Sequence, residues 1–294
     1  MDIIYSGPRR FWRVLYPALI FVAIQFAVMF IVGIVFIALG LIGNISAETA
    51  VPISVLLDDA LKYVARETWL LMLIISVVKL AVFAPMWWKS RNTKERYSNE
   101  NPAAVYLIVV LFFAAFNIVQ IVVFSITDVV RFFPTYDSIS ELFVSDNTIM
   151  RFAIIGFLAP ITEELVFRGI LINRMRGMPV WASIAIQAVL FSLVHLNLFQ
   201  SLYAFVAGIL LGYAYIKFRS LGVVILGHMT YNLSSLLMVE FATENEAIPV
   251  ILMSIVLLPI CAVLAVKQQK ASTITAEPVT LPPPLNPWPD PWDR

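Results

Sequence analysis

Four kinds of side chain able to do acid–base or oxyanion chemistry stand inside long apolar runs of this sequence: Glu163 and Glu164 with Arg168, His195, His228, and Asn232. An ionisable side chain near the centre of a bilayer costs about 2.5 to 3.5 kcal/mol on insertion scales, so each one embedded in an apolar span needs a reason to be there. Glu164 and Arg168 are four apart with the acid first, the favourable order for an ion pair on one helical face. Glu163 is turned by about 100° from its neighbour around the helix and is left as the carboxylate without that partner. The chain has two histidines, His195 and His228, and both are expected within apolar helices. His228 and Asn232, again four apart, share one face of a helix and offer two hydrogen-bond donors to one point.

Where the helices carrying these residues meet, a carboxylate beside an imidazole can activate water as a general base, and an imidazole N–H with an amide N–H can stabilise a tetrahedral oxyanion. Those are the components of peptide hydrolysis. Other intramembrane proteases fit poorly. A His-Glu-x-x-His zinc motif is absent, because Leu196 follows His195 and Met229 follows His228. No predicted span contains an Asp. Ser192, Ser234 and Ser235 are better read as bonding their own helix backbone. A zinc site built from Glu163, His195 and His228 ranks behind a metal-free glutamate mechanism. A transporter is the reading from another class, since embedded Glu, Arg and His also mark ion paths, but the halves show no inverted repeat. A third class is a non-catalytic scaffold or immunity protein.

The elements that must position these residues are transmembrane helices. Of 294 residues 61% are hydrophobic and 13% charged, and the mean hydropathy is +0.88, far from the balance of a water-soluble domain. Net charge is +1, which gives no sign of a nucleic-acid partner. Runs long enough for a span occur at residues 14–43, 69–88, 103–126, 149–172, 179–199, 201–218, 221–240 and 247–266. The expected fold is therefore all-α, a polytopic bundle of about eight helices. With the N-terminus inside, thirteen Lys and Arg fall in inner loops and four in outer loops, which places both termini in the cytoplasm. Residues 1–148 form an N-terminal three-span region, 149–270 the chemistry-bearing core, and 271–294 a Pro-rich tail expected to be disordered. Residues 51–63 have the pattern of a short surface helix or a simple connector. The lone Cys261 has no disulfide partner.

Within the spans, Lys79 is expected to snorkel or to find an internal partner, and the sequence alone does not assign it to catalysis. Asn117 and Gln120 read as hydrogen-bond formers between helices, and Gly208 with Gly212 as a close-packing GxxxG pair that draws the fifth and seventh spans together.

Glu163-Glu164-x-x-x-Arg168, Phe191-x-x-x-His195 and His228-x-x-x-Asn232 together resemble the three motifs of the CAAX protease and bacteriocin-processing family, CPBP or Abi. The resemblance covers roughly residues 150–240. It implies an eight-helix intramembrane endopeptidase of a cell membrane, most simply a prokaryotic plasma membrane. By motif position, Glu163 and His195 activate water, His228 and Asn232 form the oxyanion hole, and Glu164 with Arg168 supports them. It implies no cofactor, and as partners the bilayer and a peptide or membrane-protein substrate. Oligomeric state and substrate identity do not carry over.

Overall fold

The computed structural model describes residues 8–45, 67–90, 102–133 and 147–241, with isolated positions 54, 55, 58 and 62. Among them the chain is helical, with no strand. Seven helices follow one another: α1 (Pro8–Ile45), α2 (Thr68–Ser90), α3 (Pro102–Thr127), the composite α4 (residues 148–172), α5 (Val180–Leu193), α6 (Leu198–Phe218) and α7 (Leu221–Phe241). They correspond in order to the first seven expected spans. Five of them, all but α4 and α5, are long and apolar enough to cross a membrane. The expected eighth span and the Pro-rich tail lie outside the described residues, as do most of residues 51–63.

Two helices depart from the uniform spans expected. α4 alternates between two windings: Thr148–Arg151 is α-helical, Phe152–Leu158 a π-helix, Ala159–Glu164 α-helical, and Leu165–Ile172 a second π-helix. Such wide turns are rare and occur often at functional sites. α5 has only 14 residues, a length of about 21 Å against a hydrocarbon core of about 30 Å. It ends because Leu196 takes a left-handed backbone (φ 56°) and Asn197 starts the next helix, its side chain accepting from the Gln200 N–H at 2.9 Å. Ser201 Oγ donates to the Ser192 carbonyl at 2.9 Å and ties the two helix ends together. His195 therefore sits in a turn between α5 and α6, not within an apolar helix as expected.

The apolar core runs across the whole bundle. One cluster joins Ala18 and Phe21 of α1, Phe83 of α2, the α4 segment around Phe167 and Ile170, and Phe191 of α5. A second joins Phe113 of α3 to Leu211 of α6 and to Val224 and Tyr231 of α7. Polar residues pin the second cluster as expected: Asn117 Nδ2 donates to Ser235 Oγ at 2.9 Å, and the Tyr231 hydroxyl donates to Gln120 Oε1 at 2.7 Å. Glycines set how closely the helices approach. A Cβ on Gly208 would stand 3.1 Å from the Ala188 Cα, so the small residues of α6 bring it against α5, whereas the sequence suggested that they draw the fifth and seventh spans together.

The same logic gives a first prediction. A Cβ on Gly227 would meet Phe113 Cδ2 at 2.8 Å and Val109 Cγ1 at 2.9 Å. Overpacking of this kind costs about 1 to 3 kcal/mol, so Gly227→Ala is expected to lower the unfolding midpoint in detergent, and an unchanged midpoint would mean that α3 and α7 do not pack in this register.

Candidate active site

The polar centre is built where α4, α5 and α7 meet. Glu164 and Arg168 are completely buried, and Arg168 Nη1 donates to Glu164 Oε1 at 2.7 Å, the i,i+4 ion pair read from the spacing. The guanidinium also donates through Nη2 to the Gly208 carbonyl at 3.2 Å and lies 4.5 Å over the Phe191 ring. Three elements are thus held by one side chain, which suits the planar multi-donor fork of arginine. Gln187 Nε2 donates to the same Gly208 carbonyl at 2.7 Å.

His228 enters from α7 between the two carboxylates. Its Nδ1 lies 2.8 Å from Glu164 Oε1 and its Nε2 3.8 Å from Glu163 Oε2. An ionised carboxylate only accepts, so the short contact fixes the proton on Nδ1 and turns Nε2 toward Glu163. Glu164 consequently serves both Arg168 and His228. Glu163, read from helical geometry as the carboxylate facing elsewhere, approaches the same imidazole from its other nitrogen. Its side chain keeps 17% exposure, against none for Glu164.

His195 is oriented by its own helix end, Nδ1 lying 2.8 Å from the Phe191 carbonyl. A carbonyl cannot donate, so Nδ1 carries the hydrogen and Nε2 is the nitrogen left to accept a proton. The Phe191 ring stands between the two imidazoles, with centroids 5.0 Å from His195 and 5.8 Å from His228, both edge to face. His195 is within electrostatic reach of Glu163, His228 and Lys79.

Asn232 reaches the site by way of the irregular winding of α4. The Ala159 N–H bonds back five residues to the Ile154 carbonyl, and in that register the Ile155 carbonyl falls to residue 160, a proline with no N–H. Asn232 Nδ2 fills the gap, donating to the Ile155 carbonyl at 2.8 Å. One of its two amide hydrogens is thereby used and the other is left for a ligand.

The sequence-read residues Glu163, Glu164, Arg168 and His228 are therefore in one contact network, His195 is joined to it through Phe191, and Asn232 is anchored beside it on α4. Sequence reasoning did not give Phe191 a role beyond its motif position, nor Gln187 as a second donor to the arginine's acceptor, nor Gly208 as that acceptor. Only the GxxxG spacing hinted at the last. Among the described residues, no three His, Cys, Asp or Glu side chains are grouped to hold a metal ion, so the alternative zinc set of Glu163, His195 and His228 is not gathered at ligand spacing. Ser192 and Ser234 donate to their own helices, at the Val189 and Tyr231 carbonyls, each at 2.9 Å.

This arrangement, two carboxylates and two imidazoles on α4, α7 and the α5–α6 turn, lies within a single stretch of sequence that resembles known proteins. Residues 145–234 match the type II CAAX prenyl endopeptidase Rce1-like family. The Rce1-like segment contains all six site residues and bears out the resemblance carried by the three motifs. The family is one of proteases, which supports a peptide hydrolase. The match does not extend to α1, α2 or α3. No curated protein and no solved structure matches the chain.

Proposed function

We propose that the chain is an intramembrane endopeptidase that hydrolyses a peptide bond of a membrane-associated substrate with a glutamate-activated water. The observation that carries this reading is His228 placed between Glu163 and Glu164, with the partly exposed Glu163 3.8 Å from its Nε2 and, among the described residues, in no shorter polar contact.

Glu163 removes a proton from water, helped by the His195 Nε2 lone pair, and the hydroxide adds to the scissile carbonyl carbon. The carbonyl oxygen becomes an oxyanion that takes hydrogen bonds from the spare amide N–H of Asn232 and from His228 Nε2. For Nε2 to donate while Nδ1–H stays on Glu164, the imidazole takes up a proton from solvent as the oxyanion forms and returns it when the intermediate collapses. The Glu164 carboxylate 2.8 Å away balances that charge. The proton held by Glu163 then passes to the departing amine as the C–N bond breaks. Glu164 and Arg168 act by holding His228 and α4 in place.

The long apolar helices support a polytopic protein of about eight spans, and the excess of inner-loop Lys and Arg supports cytoplasmic termini and a pocket open to the cytoplasm. A plasma membrane of a prokaryotic cell suits this reading. The family description makes a lipidated C-terminal peptide one candidate substrate, beside leader peptides and membrane proteins. The reading assigns no cofactor.

The test is turnover of a quenched peptide library by the purified full chain in liposomes, with and without chelator. Cleavage that persists under chelation is the expected result. Loss on chelation with recovery on added zinc would replace the metal-free mechanism, and solute uptake into sealed vesicles without any cleavage would replace the hydrolase by a carrier.

A further inference from the structure

A second cation stands at this site from outside the family-matched segment. Lys79 of α2 is buried, with 6% exposure, so it has an internal partner and does not snorkel. Its Nζ donates to Gln25 Oε1 of α1 at 2.9 Å and lies 3.4 Å over the Phe21 ring. Phe21 and Gln25 are four apart on α1 and form one face of a small cage, closed by Phe83 with its ring 6.0 Å from Phe21. Phe21 in turn meets Phe167 at 5.6 Å, and Phe167 meets Phe191 at 5.1 Å. The cage is therefore packed directly onto the aromatic centre of the site.

A neutral amide and a ring face are weak compensation for a buried ammonium. Among the described residues Lys79 has no carboxylate in ion-pair contact, yet its helix α2 packs directly against the Ala159–Glu164 segment of α4 that carries Glu163. Arg168 is bound to Glu164. With His228 neutral, Glu164 is matched by Arg168, and the charges left over among the described residues of the site are Glu163, 3.8 Å from His228 Nε2, and Lys79. We propose that Lys79 is a positioning residue that supplies the counter-charge for the Glu163 carboxylate, so that α1 and α2 complete a site whose reacting groups all lie on α4 to α7. The inference rests on the hydrolase reading for its effect on rate, but not for the pairing of the two charges.

Lys79→Met removes the charge and keeps the bulk. The expected result is a fall in kcat of about tenfold, the size of a screened interaction between two embedded charges, with KM within about twofold, and recovery of most of kcat in Lys79→Arg. Gln25→Leu, which frees the ammonium without removing it, should lower kcat less. Unchanged kcat in Lys79→Met, or a rise in KM alone, would overturn the proposal, the latter by giving Lys79 to a substrate anion. A second measurement does not need turnover: modification of Glu163 by a hydrophobic carbodiimide at neutral pH, followed by mass spectrometry. This reagent attacks the protonated carboxyl, so modification should be several-fold faster in Lys79→Met than in the parent, and equal rates would overturn the pairing. A parent that cleaves nothing would remove the hydrolase reading, while the labelling comparison would still decide whether the two charges are coupled.

Discussion

Glu163→Gln is expected to reduce peptide hydrolysis by about two to four orders of magnitude, the usual worth of a positioned general base, while leaving the protein folded. The side chain is 17% exposed and its contact with His228 Nε2 is 3.8 Å, too long for a hydrogen bond, so the amide takes the same space, while Lys79 keeps its contacts with Gln25 and Phe21. Steady-state rates should show the loss in kcat, with the unfolding midpoint close to that of the parent. Glu164→Gln gives the contrast: the acceptor of both Arg168 and His228 is weakened, and stability and turnover should fall together. If Glu163→Gln cleaves at the parental rate, water is activated by another group and the base assignment is gone.

The largest expected effect on stability belongs to Arg168→Met. Breaking a buried pair from one side leaves an uncompensated charge and typically costs about 3 to 5 kcal/mol. Here Glu164 is fully buried and, among the described residues, keeps only His228 as a partner. Loss of the Nη2 bond to Gly208 and of the stacking on Phe191 adds to the damage by loosening α6 and α5 from α4. Arg168→Lys should recover only part, since an ammonium is a single compact charge without the planar fork. The double variant Arg168→Met with Glu164→Gln removes both charges and should be more stable than Arg168→Met alone. Denaturant or thermal unfolding in detergent measures all three, and a single Arg168→Met variant as stable as the parent would mean that the pair does not hold the helices.

Much of this site was legible from spacing. Apolar run length locates helices because each span must satisfy its own backbone in lipid, and all seven described helices appear in the order expected. The Glu164–Arg168 pair follows from i,i+4 geometry, and Asn117 and Gln120 follow from the need of an intramembrane polar group for a partner on another helix. The errors came where local winding departs from a regular helix. The expected span at 179–199 includes His195 because the stretch is predominantly apolar, yet Asn197 is a capping residue and ends the run. The two wide turns of α4 leave no periodic signature, because they change the register of backbone bonds and not the composition.

Taken alone, the sequence determined that this chain is a membrane helix bundle with an acid, two imidazoles and an amide spread over three apolar segments, since burial cost and helical period act within one segment. Only the tertiary structure decided that Glu164 bridges Arg168 and His228, that Phe191 stands between the histidines, that Asn232 fills the carbonyl orphaned by Pro160, and that Lys79 arrives from α2. These pairings join residues tens of positions apart, and which side chains meet there is set by how glycines and aromatic rings let the helices approach.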